Sequence, residues 1–190
     1  MYNSMSQLPS IPYNILVYLA TQASAENLWK MLKYKDYDCL NHENVSFDEK
    51  MAFIWKTGVQ QNYSVFLTPL IEDAIAESKC IMKMYDYYIH NNELFYSSVV
   101  YAFDFLYGGN MSLIDYNGVP ASRGDVFIHT ILDTLNGAEV GGVGKFLFVS
   151  DLSRYSLAKA TIGDSRKFTG VQIFLTTSVG DTGKESTCND

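Results

Sequence analysis

The chain has 190 residues, of which 47% are hydrophobic and only 18% charged, and its net charge is −7. One domain suits that length, and so little charge leaves neutral side chains, fourteen Tyr among them, to make much of the surface. The Lys and Arg residues form no block, so the basic footprint of non-specific nucleic-acid binding is missing, although an acidic lining along which DNA slides remains compatible with the charge.

Residues 1–13 are polar and carry Pro9 and Pro12, which reads as an extended arm that orders only against a neighbour. The start has no basic segment, so no signal peptide is expected. The longest apolar run, Ile15 to Ala20, falls short of the ~20 residues that cross a membrane. Asn14 to Gln22 has Ile15, Leu16, Tyr18 and Leu19 at helical spacing. Ser24 is placed to cap a second helix whose buried stripe is Leu28, Met31 and Leu32, with Trp29 at its flank. Ser46 and Glu49 form a capping-box pattern that opens a third helix running past Met51, Ile54 and Trp55 to Gly58.

The second half reads as strand. Tyr63 to Thr68 is β-rich and ends at Pro69. Cys80 to His90 and Glu93 to Leu106 are rich in aromatic and β-branched residues and flank Asn91-Asn92, a pair suited to a two-residue turn. A long hairpin is expected there, closed by Gly108-Gly109. Asp115 to Pro120 reads as a turn-rich loop. A last helix, capped by Ser122, follows to Leu135, with Phe127, Ile128, Ile131, Leu132 and Leu135 on one face and His129, Thr130, Asp133 and Thr134 on the other. Lys145 to Ser150 and Val171 to Ser178 read as strands, residues 152–168 as a long loop, and residues 180–190 as a flexible tail. The fold class expected is α+β: N-terminal helices and one later helix on a mainly antiparallel sheet, in a single domain over 14–179.

The constellations that could carry chemistry do not converge. Cys39, Cys80 and Cys188 are odd in number and show no CxxC spacing, which suggests neither a disulfide framework nor a zinc cluster. Asp125, His129 and Asp133 recur every fourth residue. Such a row spans about 12 Å of helix, too far for one ion, so a polar face is expected and no metal. Gly137 to Gly144 follows a helix and opens a strand, the reverse of a nucleotide loop, and has no Gly-Lys-Ser/Thr ending. No Gly-x-Ser-x-Gly elbow occurs. No catalytic residue and no cofactor are therefore expected. The hairpin's aromatics, Tyr85, Tyr87, Tyr88, Phe95, Tyr96 and Tyr101, outnumber what one face of a hairpin hides, and they are the candidate subunit interface. Arg123 is a further candidate, as the cation of a salt bridge to a neighbouring chain.

Several phrases resemble the neck and tail-completion proteins of tailed bacteriophages, the connector, stopper and terminator rings between portal and tail. They are Asn27-Leu28-Trp29-Lys30, Phe66-Leu67-Thr68-Pro69, Asp115-Tyr116-Asn117-Gly118-Val119-Pro120, Arg123-Gly124-Asp125, Leu135-Asn136-Gly137 and Gly141-Gly142-Val143-Gly144, spread over residues 14–178. The resemblance implies a small α+β subunit in a homo-oligomeric ring of the virion, with no active site. Its partners would be its own copies, the connector or portal and tail-tube proteins beside it, and DNA passing without specific binding. The rival expectation is a small cytoplasmic enzyme or ligand-binding domain whose site is built from scattered residues.

Overall fold

The structure is a computed structural model that describes residues 8–69, 79–91, 96–149, 158–162 and 168–180. Helices pack on one face of a mixed, mainly antiparallel sheet, so the class is α+β. Residues 1–7 of the expected arm, Phe95, the side chain of Tyr96, the tail 181–190 and most of the loop 152–168 lie outside the described residues.

The first helix, α1, spans Ile11–Thr21 and so begins inside the expected arm. Proline is tolerated in a first helical turn because its missing N–H would have no partner there. Ile11 is buried and Leu8 packs against the core, so this stretch has apolar surface to bury after all. A 3-10 turn, Ala23–Ala25, leads into α2, Glu26–Lys33. Ser24 is not its cap; its hydroxyl accepts a hydrogen bond from Thr134 at 2.8 Å. Leu28, Met31 and Leu32 are buried as the spacing predicts. Trp29 is fully buried too, with its Nε1–H donating to the Leu19 carbonyl at 3.1 Å.

The third helix, α3, is Phe47–Ala52 and opens with the complete Ser46/Glu49 capping box. It stops before Gly58, because Ile54 turns away to bridge Val65. Hydrogen bonds from Lys33 and from Ser46 pull the exposed Glu49 carboxyl down to about 2. A carboxylate with a depressed folded pKa contributes stability above its usual value of 4.5, and that contribution is lost as pH falls towards 2. Glu49→Gln is therefore expected to lower the urea midpoint at pH 6. The gap to wild type should shrink steadily as pH falls from 4.5 towards 2, and a gap of constant size would contradict the assignment.

The sheet has six strands: β1 Val65–Phe66, β2 Ile81–Asn91, β3 Tyr96–Gly108, β6 Leu147–Phe148, β7 Ala158–Ile162 and β8 Phe168–Gly180. Their order is β1-β2-β3-β8-β6, with β7 also on β8. The short β1 runs parallel to β2, and the other pairings are antiparallel. The strand β7 falls where a structureless loop was expected.

Two further strands, β4 Leu113–Tyr116 and β5 Val119–Ser122, make a separate tight hairpin. Its turn residues Asn117 and Gly118 have φ of 56° and 83°, the left-handed pair that a type I′ turn needs. The expected loop at Asp115 to Pro120 is therefore a hairpin.

The last helix, α4, is Arg123–Leu135. It lies on the sheet with Phe127 stacked on Phe105, ring centroids 4.6 Å apart. Its buried stripe is Val126–Phe127, Thr130–Ile131 and Thr134–Leu135. Thr130 and Thr134 thus face inward, against expectation, and Ile128 and Leu132 sit half-buried. Burial is tolerated because both hydroxyls find acceptors, the Val126 carbonyl and the Ser24 hydroxyl, each at 2.8 Å. Asp125, His129 and Asp133 are exposed.

Candidate interaction surface on the outer face of the sheet

Side chains alternate along β2, β3 and β8, so each strand contributes one set to the helices and one to the opposite, outer face. Met82, Met84, Tyr101, Phe103, Phe105, Val171, Ile173 and Leu175 belong to the core beneath the helices. The outer face carries Lys83, Tyr85, Val100, Ala102, Asp104, Gln172 and Phe174.

The hairpin does not have the expected two-residue turn. Asn91 pairs with Ser97 and His90 with Ser98, whereas a turn at Asn91-Asn92 would set His90 opposite Glu93. Below the bulge the slip is four residues, with Met84 opposite Phe103 rather than Val99; a slip of one residue exchanges the two faces, but an even slip keeps every apolar side chain on its own side. Alternation alone therefore cannot distinguish these registers. A row of polar side chains does distinguish them. Lys83, Asp104 and Gln172 are direct cross-strand partners on β2, β3 and β8. The Lys83 ammonium meets Asp104 Oδ2 at 2.8 Å, and the Gln172 amide donates to Asp104 Oδ1 at 2.6 Å. The Tyr85 hydroxyl donates to Asp104 Oδ2 at 3.2 Å. Burial, reinforced by the Asp104 charge, pushes the Tyr85 phenol up to about 12. This knot separates two small apolar clusters on the outer face. Phe66, Ile81 and Leu106 lie on one side with Trp55, Tyr63 and Phe168. Val100, Ala102 and Phe174 lie on the other with Tyr85 and Val149.

Beyond the second cluster, β2 is irregular. The register shifts between Asp86, opposite Tyr101, and Tyr88, opposite Val100, so Tyr87 is the extra residue of a β-bulge. Bulges re-aim side chains, and here two consecutive tyrosines share the outer face. Tyr87 packs on Phe174 with centroids 5.0 Å apart, and Tyr88 stacks with His90 at 6.2 Å and 10°. Tyr87 is 50% and Tyr88 48% exposed. Ser98, paired with His90, and Thr176, opposite Leu147, continue the face, and Leu147 is exposed.

Of the expected interface residues, this surface brings together Tyr85, Tyr87 and Tyr88, with Tyr85 half-buried in the knot. Tyr101 belongs to the helix-covered face and is fully buried, so it is no contact residue. Its hydroxyl has no hydrogen-bond partner among the described residues. Sequence reading missed His90, Ser98, Thr176 and Leu147. The signal for the bulge was present: inward residues fall at Met82 and Met84 but then at Ile89, a change of phase that a regular strand does not allow.

Arg123 is also corrected. It is fully buried within its own chain, where it holds backbone carbonyls rather than facing outward as the cation of an inter-chain bridge. Its Nε donates to the Met111 carbonyl at 2.8 Å, and Nη1 donates to those of Met31 and Tyr34, both at 3.1 Å. Nη2 reaches the carbonyls of Asp36 at 3.0 Å and Lys35 at 3.4 Å, and Nη1 also approaches Cys80 Sγ at 3.6 Å. The buried Cys80 thiol is pushed up to about 11 by desolvation, with Arg123 pulling the other way. Other cations are also turned inward. Lys30 donates to the Leu40 carbonyl, Lys79 to those of Gln61 and Tyr63, and Lys50 to the Ala20 carbonyl. Lys50 also pairs with Glu26 at 2.6 Å.

The fold and this surface define an α+β domain with an aromatic outer patch. The chain belongs to the YomW family, whose model matches residues 25–177, from the start of α2 into β8. That makes it a phage-associated protein. No curated protein matches the chain. Among the described residues, no helix is long and apolar enough to cross a membrane.

Proposed function

We propose that this phage-associated protein is a virion structural subunit acting by contact rather than catalysis, and that it forms a homo-oligomeric ring at the head–tail interface, as a neck or tail-terminator component. Its neighbours would be the portal or connector on one side and the tail tube on the other. The observation that carries the reading is the bulge at Tyr87, which gathers exposed aromatic side chains at the hairpin end of the outer sheet face. Tyr enrichment with depletion of charge is the compositional mark of an interface core. The inward-turned cations support the DNA-path element of the reading, because they leave the outside more acidic than composition alone requires, and DNA would pass without adhering. The test is localisation by electron microscopy of phage particles assembled with a tagged copy of the chain. Label in a ring at the head–tail junction is expected. Particles that are complete without the chain would overturn the reading.

A further inference from the structure

We infer that the outer sheet face at the hairpin end docks on a second copy of this chain; this rests on the self-assembling reading above and adds to it the face and the chemistry of the contact. The contact side chains are Tyr87, Tyr88, His90, Ser98, Thr176 and Leu147. Three observations carry it. The bulge places Tyr87 and Tyr88 side by side on one face, 50% and 48% exposed, rather than on opposite faces. Leu147, 53% exposed, extends the same patch across β8. The third observation is charge. Each copy carries −7, so two copies repel except where neither presents charge. On β2, β3 and β8 the outer face from the Ala102 row to the Ser98 row carries Tyr, His, Ala, Val, Ser, Phe and Thr and no Asp, Glu, Lys or Arg; exposed Lys145 stands at its edge, two residues from Leu147.

That same feature selects the occupant. A nucleic acid would need cations on this face, and a basic protein would be drawn to the acidic surface elsewhere. A second copy, itself acidic, is repelled least where it covers this patch, and Tyr, Ser and Thr supply area and adaptable hydrogen bonds at little conformational cost.

The test compares sedimentation velocity and light scattering of the full chain, Tyr87→Ser/Tyr88→Ser, and the control Tyr13→Ser/Tyr37→Ser, which removes two tyrosines exposed elsewhere. Circular dichroism melts establish that each variant is folded, and Leu147→Ser provides a second probe of the patch should the double variant not fold. Wild type is expected to self-associate. The patch variant should weaken association about 100-fold, the loss of one interface hot spot, and the control should not. If wild type associates and both folded patch variants associate equally well, the inference fails while the self-assembling reading stands. A wild-type chain that remains monomeric at millimolar concentration overturns both.

Discussion

Replacing Arg123 with Met is expected to destabilise the folded chain by about 3–5 kcal/mol, since it removes the donor to several buried carbonyls at roughly 1–3 kcal/mol for each left unsatisfied. For a domain of this size that lowers the melting temperature by on the order of 10 °C. The guanidinium joins four parts of the fold: the start of α4, the end of α2, the 34–36 segment and the turn at Met111. Methionine matches much of its volume but donates nothing, so the carbonyls of Met111, Met31, Tyr34 and Asp36 lose the guanidinium donor. Arg123→Lys should recover only part of the loss. An ammonium is a point donor, and it cannot reach on opposite sides the way the planar fork does. Urea titration of the three proteins checks this. A loss below about 1 kcal/mol for the Met variant would mean that water replaces the guanidinium freely.

The second large effect concerns the outer-face knot. Asp104→Ala should cost about 3–5 kcal/mol, because it leaves Lys83 without its counter-ion, removes the acceptor of Tyr85 and leaves Gln172 only its longer bond to the Tyr85 hydroxyl. The paired change Lys83→Met/Asp104→Leu removes both charges, and it should return stability close to wild type, since apolar residues of similar size often replace a buried pair without loss. The full double-mutant cycle gives the coupling directly. Stability is the smaller part of what this pair contributes. Lys83, Asp104 and Gln172 line up across three strands only in the observed register, so the apolar double variant should keep its melting temperature yet show heterogeneous strand pairing by NMR.

The sequence made some elements legible and concealed others for identifiable reasons. The capping box at Ser46 and Glu49, the stripe of α2 and the long hairpin carry local signals, and local chemistry decides them. The hairpin register was not legible from apolar alternation, which even-numbered slips preserve. The break of phase between Met84 and Ile89, and the isolated Lys83 and Asp104 between apolar and aromatic neighbours, were the informative marks. Arg123 looked like a surface cation at a helix start because its partners are carbonyls, which every residue has and no sequence pattern reveals. Thr130 and Thr134 looked solvated, since threonine does not announce that another hydroxyl or an i−4 carbonyl awaits it. The strand β7 is legible only through its partner β8, a non-local pairing. For the candidate surface, Tyr85, Tyr87 and Tyr88 were found from composition, whereas the residues from other strands required the sheet order.

The place of β8 in the sheet has a consequence for biosynthesis. It is the strand on which β3, β6 and β7 all depend, and it pairs with β3 along the whole of Tyr96 to Gly108. A ribosome makes it after every other described element. Until Phe168 to Gly180 has emerged, the nascent chain holds a thirteen-residue strand edge unpaired beside aromatic side chains, which is the kind of surface that aggregates and recruits chaperones. Closure of the sheet therefore follows synthesis of all the other described elements, and a chain cut short before Phe168 is a sticky fragment rather than a smaller version of the fold.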